Sequence, residues 1–284
     1  MNTKRNRLLY LHSTRKLSSK HLLSLIRHVR VEEIHTLDVA SLAFHTKAKT
    51  DTVKTWTKHW NEHPYADFKP PEIPAITLFD QEYPRRLYEL PDLPPVLYYS
   101  GNLHLIHAQH LLAVIGTRSP SRYAETVMPN LLEPVIQQGA VIVSGLARGI
   151  DTYAHKLAIG KNGTTIAVIA GGLNHIYPKE NRGIANLMAT KHLILSEYFP
   201  TQPPEKWHFP ERNRIISGLC DRLFVVEAGV RSGTQITVDC ALEQGKDVYA
   251  LPGNINESTS KGTNQMIFDG AQMVLSATDL LFQE

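Results

Sequence analysis

Five short segments of this 284-residue chain combine glycines, hydroxyls and cations at spacings suited to holding phosphate. In "GTRSPS", Gly116 to Ser121, Arg118 stands beside Thr117 and Ser119. Its planar, permanently charged guanidinium can fork onto two phosphate oxygens. In "VSGLARGIDTYAH", Val143 to His155, Gly145 and Gly149 flank Leu-Ala-Arg, with Ser144 as a donor and Arg148 as a cation. Amides of such a turn, aided by the positive end of a following helix, hold anions. The plainer reading of the same residues is a tight corner with Asp151 as a helix cap. "AGGLNHIYPKENR", Ala170 to Arg182, sets Tyr177 among Lys179, Asn181 and Arg182. A stacking ring among cations suits single-stranded nucleic acid, whose bases all offer a flat face and whose phosphates need charge. In "HFPERNRIISG", Arg212 and Arg214 flank Asn213 where an apolar helical segment begins, the end of a helix that favours anions. "EAGVRSGTQIT" repeats the glycine and hydroxyl chemistry with Arg231, Ser232 and Thr234.

The elements that must position these turns can be read from the surrounding pattern. "LLAVIG", "AVIVSG", "TTIAVIAGG", "HLILSEY", "RLFVVEAG" and "DVYALPG" are continuous apolar runs of the length of strands buried on both faces. Helical segments are expected between them, around residues 121–138, 150–161, 181–190, 212–219 and 233–245. This alternation predicts an α/β fold, a mainly parallel sheet with helices on both faces, over residues 111–284. Ligands of such sheets bind beyond the carboxyl ends of the strands, where the five turns lie. Residues 1–65 carry apolar residues only at helical spacing and predict a small all-helical domain. The proline-rich stretch 66–110 predicts an ordered connector of short strands and turns.

Composition narrows the function classes without naming one. A 42% hydrophobic content fills a sizeable core, and a net charge of +3 attracts a polyanion only where cations cluster. Two cysteines, Cys220 and Cys240, make no disulfide framework, and no run approaches the roughly 20 apolar residues of a membrane span. A cytoplasmic protein without membrane insertion is expected. The GxGxxG fingerprint of dinucleotide folds is absent, and "VSGLARG" is not a GxSxG elbow, so Ser144, Asp151 and His155 do not read as a triad. The pairs and triplets His59/His63 and His104/His107/His110 come without HExxH or nearby cysteines and predict no metal site. No cofactor is expected.

In order and spacing, "VIGTRSPS", "SGLARGIDTYAH", "TIAVIAGGLNHIYPKEN", "SEYFP", "FPERNRIISGL", "VVEAGVRSGTQIT" and "LPGNINESTSKGTNQMIFDGA" resemble the DNA-processing protein A family (DprA, also called Smf). The resemblance covers about residues 75–275. It implies a Rossmann-like core after a small helical (SAM-like) domain. It further implies a non-enzymatic recombination mediator that binds and protects incoming single-stranded DNA and loads the RecA recombinase during natural transformation. The implied assembly is a homodimer through the Rossmann-like domain, for which the apolar stretch "NQMIFDGAQMVLSATDLLF" is the expected location. The DNA pocket carried over by the resemblance comprises Arg118, Ser144, Gly145, Arg148, Gly149, Lys179, Arg212 and Arg214. The alternative is a nucleoside-monophosphate phosphoribohydrolase of the lysine-decarboxylase-like group, with Glu197 or Glu227 as the carboxylate. Against it, "AGGLNHIYPKE" diverges from that group's PGGxGTxxE pattern.

Overall fold

Residues 3–230 and 232–283 are described by a computed structural model. Arg231 of the fifth turn therefore lies outside the described residues. The chain divides into two compact units, Met1–Tyr83 with Pro91–Tyr98, and Pro84–Leu90 with Tyr99–Glu284.

The first unit starts with four helices: α1 (Thr3–Ser13), α2 (Ser19–Ile26), α3 (Val39–Thr46) and α4 (Thr50–Glu62). Short polar caps set their starts. Ser18 accepts the His21 amide at the head of α2, and Asp38 accepts the Ser41 amide at the head of α3, 2.7 Å away. Their apolar faces meet in a core of Leu8, Leu22, Leu25, Leu42, Val53 and Trp56, all buried. In the proline-rich stretch, β1 (Ala75–Thr77) pairs antiparallel with β2 (Val96–Gly101), Ala75 opposite Tyr98.

In the second unit the six apolar runs are the six strands β3 (Leu111–Ile115), β4 (Val141–Ser144), β5 (Thr165–Val168), β6 (Leu193–Ser196), β7 (Arg222–Val225) and β8 (Asp247–Ala250). The helices between them are α5 (Arg122–Gln137), α6 (Ile150–Gly160), α7 (Arg182–Lys191), α8 (His208–Leu219) and α9 (Gly233–Glu243). A short α10 (Lys261–Phe268) and the two-residue strand β9 (Gln272–Met273) complete it. Neither of these last two stood out from the sequence, because each is too short to show a period. The strands run parallel in the order β6-β5-β4-β3-β7-β8-β9. Leu112, Val114, Ile142 and Phe224 turn to one face and pack on Ala124, Met128, Leu132 and Ala154 of α5 and α6. The alternate strand residues turn to the other face, where α8 packs on β3, β4 and β5 and beside α9. From β3 the chain steps outward through β4, β5 and β6, then returns to place β7 on the other side of β3. The strand order thus reverses between β3 and β7, where a crevice opens at the carboxyl ends.

Helix α8 differs from expectation. It begins at His208, about one turn before the predicted start at 212. Arg212 and Arg214 are therefore inside the helix and buried, not at its anion-favouring end.

Candidate nucleic-acid interface

The turns after β3, β4 and β5 and the head of α8 converge on one small cavity, whose wall includes Arg118, Gly145, Arg148, Tyr177, Pro178 and Phe209. Arg118 projects from the first turn with its guanidinium carbon 5.7 Å from the centroid of the Phe209 ring. The half-exposed Tyr177 meets Phe209 edge-on at 5.8 Å. Cations above and beside aromatic faces form the arrangement that grips phosphates while stacking bases. Arg148 is exposed and ion-paired with Glu180, which holds the Glu180 carboxyl below its ordinary range and the guanidinium above its own. Lys179 follows Pro178, is itself exposed, and stands outside the cavity wall.

Beneath these side chains lies a polar floor, and it corrects several expectations. Ser144 is fully buried and its hydroxyl donates 2.6 Å to the Val114 carbonyl, so it is not presented to a ligand. The Gly145 amide donates 3.0 Å to the Asp151 carboxylate, which also accepts the Ala147 amide at 3.4 Å. Asp151 is thus a strap across the preceding turn rather than a cap on α6, and the amide expected to meet phosphate is already used. Arg212 donates 2.5 Å to the Gly145 carbonyl and also to the Val168 carbonyl, tying the carboxyl ends of β4 and β5 to α8. Arg214 donates to both oxygens of buried Glu197, each at 2.7 Å. Burial pushes the Asp151 carboxyl up and the Arg212 guanidinium down, while each charge offsets the cost of the other. A guanidinium whose donors face protein carbonyls or a buried carboxylate is held by the interior, so Arg212 and Arg214 are turned to the protein.

The glycines serve packing as much as the backbone. Gly145 leaves no room for a Cβ above the Arg212 guanidinium, and a Cβ on Gly172 would collide with the Phe199 and Pro200 carbonyls. Gly149 has φ of 74°, and a Cβ there would come within 2.8 Å of the Arg118 backbone, so this glycine sets the close approach of the first two turns. Asn181 joins the third turn to the second, donating 2.8 Å to the Leu146 carbonyl and 2.7 Å to the Thr152 hydroxyl.

Both candidate carboxylates of the hydrolase reading are bonded within the protein. Glu197 is bound by Arg214, and Glu227, 1% exposed, accepts the Ser121 amide at 2.9 Å together with the Ser121 hydroxyl. Among the described residues, no three His, Cys, Asp or Glu side chains group as a metal cluster, and no helix is long and apolar enough to cross a membrane. Sequence reasoning missed Phe209 and Glu180. The first sits in the quoted "FPERNR" and the second directly follows Lys179, but only the folded turns bring them against Arg118 and Arg148.

Residues 74–283 match the family described as DNA recombination-mediator protein A. The chain belongs to that family. It is 42% identical to DNA processing protein DprA of Bacillus subtilis over 219 residues, 77% of this chain and 73% of the relative. The X-ray structure of DprA from Streptococcus pneumoniae superposes with a TM-score of 0.86 at 35% identity, covering 97% of this chain and 96% of that one. DNA processing protein A from Helicobacter pylori, whose structure concerns its single-stranded DNA binding mode, gives 0.67 at 33% identity over 74% of this chain and 94% of that one. The family assignment fits a Rossmann-type core whose exposed cations and rings lie at the carboxyl ends of the strands.

Proposed function

We propose that this member of the DprA family binds single-stranded DNA across the carboxyl ends of its sheet and delivers it to the RecA recombinase during natural transformation. The observation that carries this reading is the meeting of two exposed guanidiniums, Arg118 and Arg148, with Tyr177 and Phe209 in the wall of one cavity. Arg118, Arg148 and Lys179 hold successive phosphates; Tyr177 and Phe209 stack bases. Gly149 lets the first two turns close. Ser144, Gly145, Arg212 and Arg214 keep the groove floor rigid without touching the strand. Because rings and phosphate contacts do not read base edges, sequence preference is weak. The protein acts in the cytoplasm and catalyses no reaction, a reading supported by the internal bonding of Glu197 and Glu227. The RecA contact and the setting in natural transformation rest on family membership.

A homodimer through the core is part of the same proposal. Phe268 at the end of α10, Met273 in β9 and Leu275 beyond it are 87%, 46% and 72% exposed, and β9 ends the strand order. Exposed apolar residues on and beside an edge strand suit a second copy.

The test is a salt titration of oligonucleotide binding, single-stranded against double-stranded, with release of free base from nucleoside monophosphates followed in parallel. Affinity for single strands falls steeply with salt, and Arg118→Ala or Lys179→Ala each lowers the slope by roughly 0.7. Unchanged binding and slope in the double variant overturns the site; release of free base overturns the non-catalytic reading.

A further inference from the structure

At the reversal of strand order between β3 and β7 there is a second cavity, about 480 Å3, which shares Arg118 and Phe209 with the first. Its volume lies within the roughly 300–1,000 Å3 of small-molecule sites. Thr117, Arg118, Asn213, Ser232, Gly233 and Thr234 line it. The head of α9 opens into it, and the N-cap Ser232 side chain makes no capping bond, so the Gly233 and Thr234 amides are left for another acceptor. One side chain independently points to a ligand. Thr234 is 8% exposed and has no hydrogen-bond partner. Side chains buried this far normally have their hydroxyl bonded, and an unbonded one lining a cavity beside free helix amides marks a place for an acceptor. The Asp151 carboxylate also borders the cavity, but it is bonded to the Gly145 and Ala147 amides and faces Arg212, which offsets its charge.

We propose that this cavity holds a phosphomonoester, with its oxygens on the Gly233 and Thr234 amides and the Thr234 hydroxyl, and its charge opposite Arg118. A phosphomonoester carries about −1.5 to −2 charges at neutral pH and three strong acceptor oxygens, matching a site of several donors and one cation. An internal phosphodiester has one charge and only two free oxygens. The cavity therefore distinguishes a phosphate end from the interior of a strand. Two sources share this chemistry: a free mononucleotide and the 5′-phosphate of a DNA strand. The second rests on the single-stranded DNA reading; the first does not.

Calorimetric titration of the full chain with thymidine monophosphate and with thymidine tests the phosphate itself. Comparison of 5′-phosphoryl with 5′-hydroxyl decathymidylate, by fluorescence anisotropy, tests the source. The monophosphate binds and thymidine does not. Thr234→Val weakens the monophosphate at least five-fold, while Thr234→Ser, which keeps the hydroxyl, restores it. A gain for the 5′-phosphoryl strand that Thr234→Val removes identifies the strand end as the source; monophosphate binding without that gain identifies the free nucleotide. Matching thermal melts of the two variants separate loss of the site from loss of the fold. The proposal is overturned if neither the monophosphate nor inorganic phosphate binds at millimolar concentration and the 5′-phosphate brings no gain, or if Thr234→Val changes none of these. Absence of 5′-hydroxyl strand binding would instead count against the groove, so the two failures are distinguishable.

Discussion

At the scale of single residues, the candidate groove is a set of exposed cations over buried polar supports. Arg148 is partnered by Glu180, and a phosphate bound at Arg148 must displace that carboxylate. Glu180→Gln is therefore expected to tighten single-stranded DNA binding by roughly two- to five-fold, the scale of an exposed ion pair, with the largest gain at low salt. An equilibrium titration at two salt concentrations checks it; weaker binding would place Glu180 among the DNA-contacting groups instead. Tyr177 has no side-chain hydrogen bond to lose, so its removal reports stacking. Tyr177→Ala should cost about 1–3 kcal/mol of binding if one base stacks there, while Tyr177→Phe leaves affinity intact. Equal affinity for all three forms would mean that no base uses this ring.

At the scale of elements, the support for the groove is a matter of turns that interlock. Gly149→Ala strains a backbone at positive φ and presses on Arg118, so it should cost about 1–3 kcal/mol of stability and also weaken DNA binding. Chemical denaturation and an oligonucleotide titration of the same preparation check both effects. Between β4, β5 and α6 lies fully buried His155, whose Nδ1 is 2.6 Å from the Thr165 hydroxyl oxygen. That hydroxyl donates to Ile142, so the Nδ1 proton must be on the ring, and Nε2 has no partner. Burial pushes this imidazole down to about 3. An unfolded chain binds the proton near pH 6.5 and the folded one does not, so stability is fully present above 6.5 and declines as pH falls toward 3, by up to about 1.4 kcal/mol per unit. Denaturation midpoints between pH 7 and 4.5 should show this slope, and His155→Gln should flatten it. A slope unchanged in that variant would assign the acid sensitivity elsewhere.

The strands, their parallel arrangement and the five turns were legible because buried parallel strands are continuous apolar runs ending in glycine. Arg118, Arg148 and Tyr177 were legible as exposed groups at strand ends. Arg212 and Arg214 were not, because a cation's partner is invisible in one dimension: nothing in "ERNRIISG" says that the Gly145 and Val168 carbonyls and the Glu197 carboxylate will meet them. Asp151 misled for the same reason, since a carboxylate near a helix start can bond forward into the helix or back across the turn.

At the scale of the whole molecule, the exposed apolar residues Phe268, Met273 and Leu275 predict self-association. Light scattering at micromolar concentration should give twice the monomer mass, and Phe268→Asp should return the monomer. The same variant should lose affinity for long single strands far more than for short ones, because two linked grooves gain from effective concentration. A wild-type monomer would remove this part of the proposal. The strand order has a further consequence, for the growing chain. Strand β3 is made first in the core yet lies between β4 and β7, with Leu112 beside both Ile142 and Arg222. On a ribosome adding 5–20 residues per second, the β7 side of β3 waits about 5–20 s for its neighbour after Leu112 is joined. During that interval the nascent core presents an apolar, unpaired strand edge. A chain truncated before Arg222 should accordingly be recovered with chaperones or as aggregate.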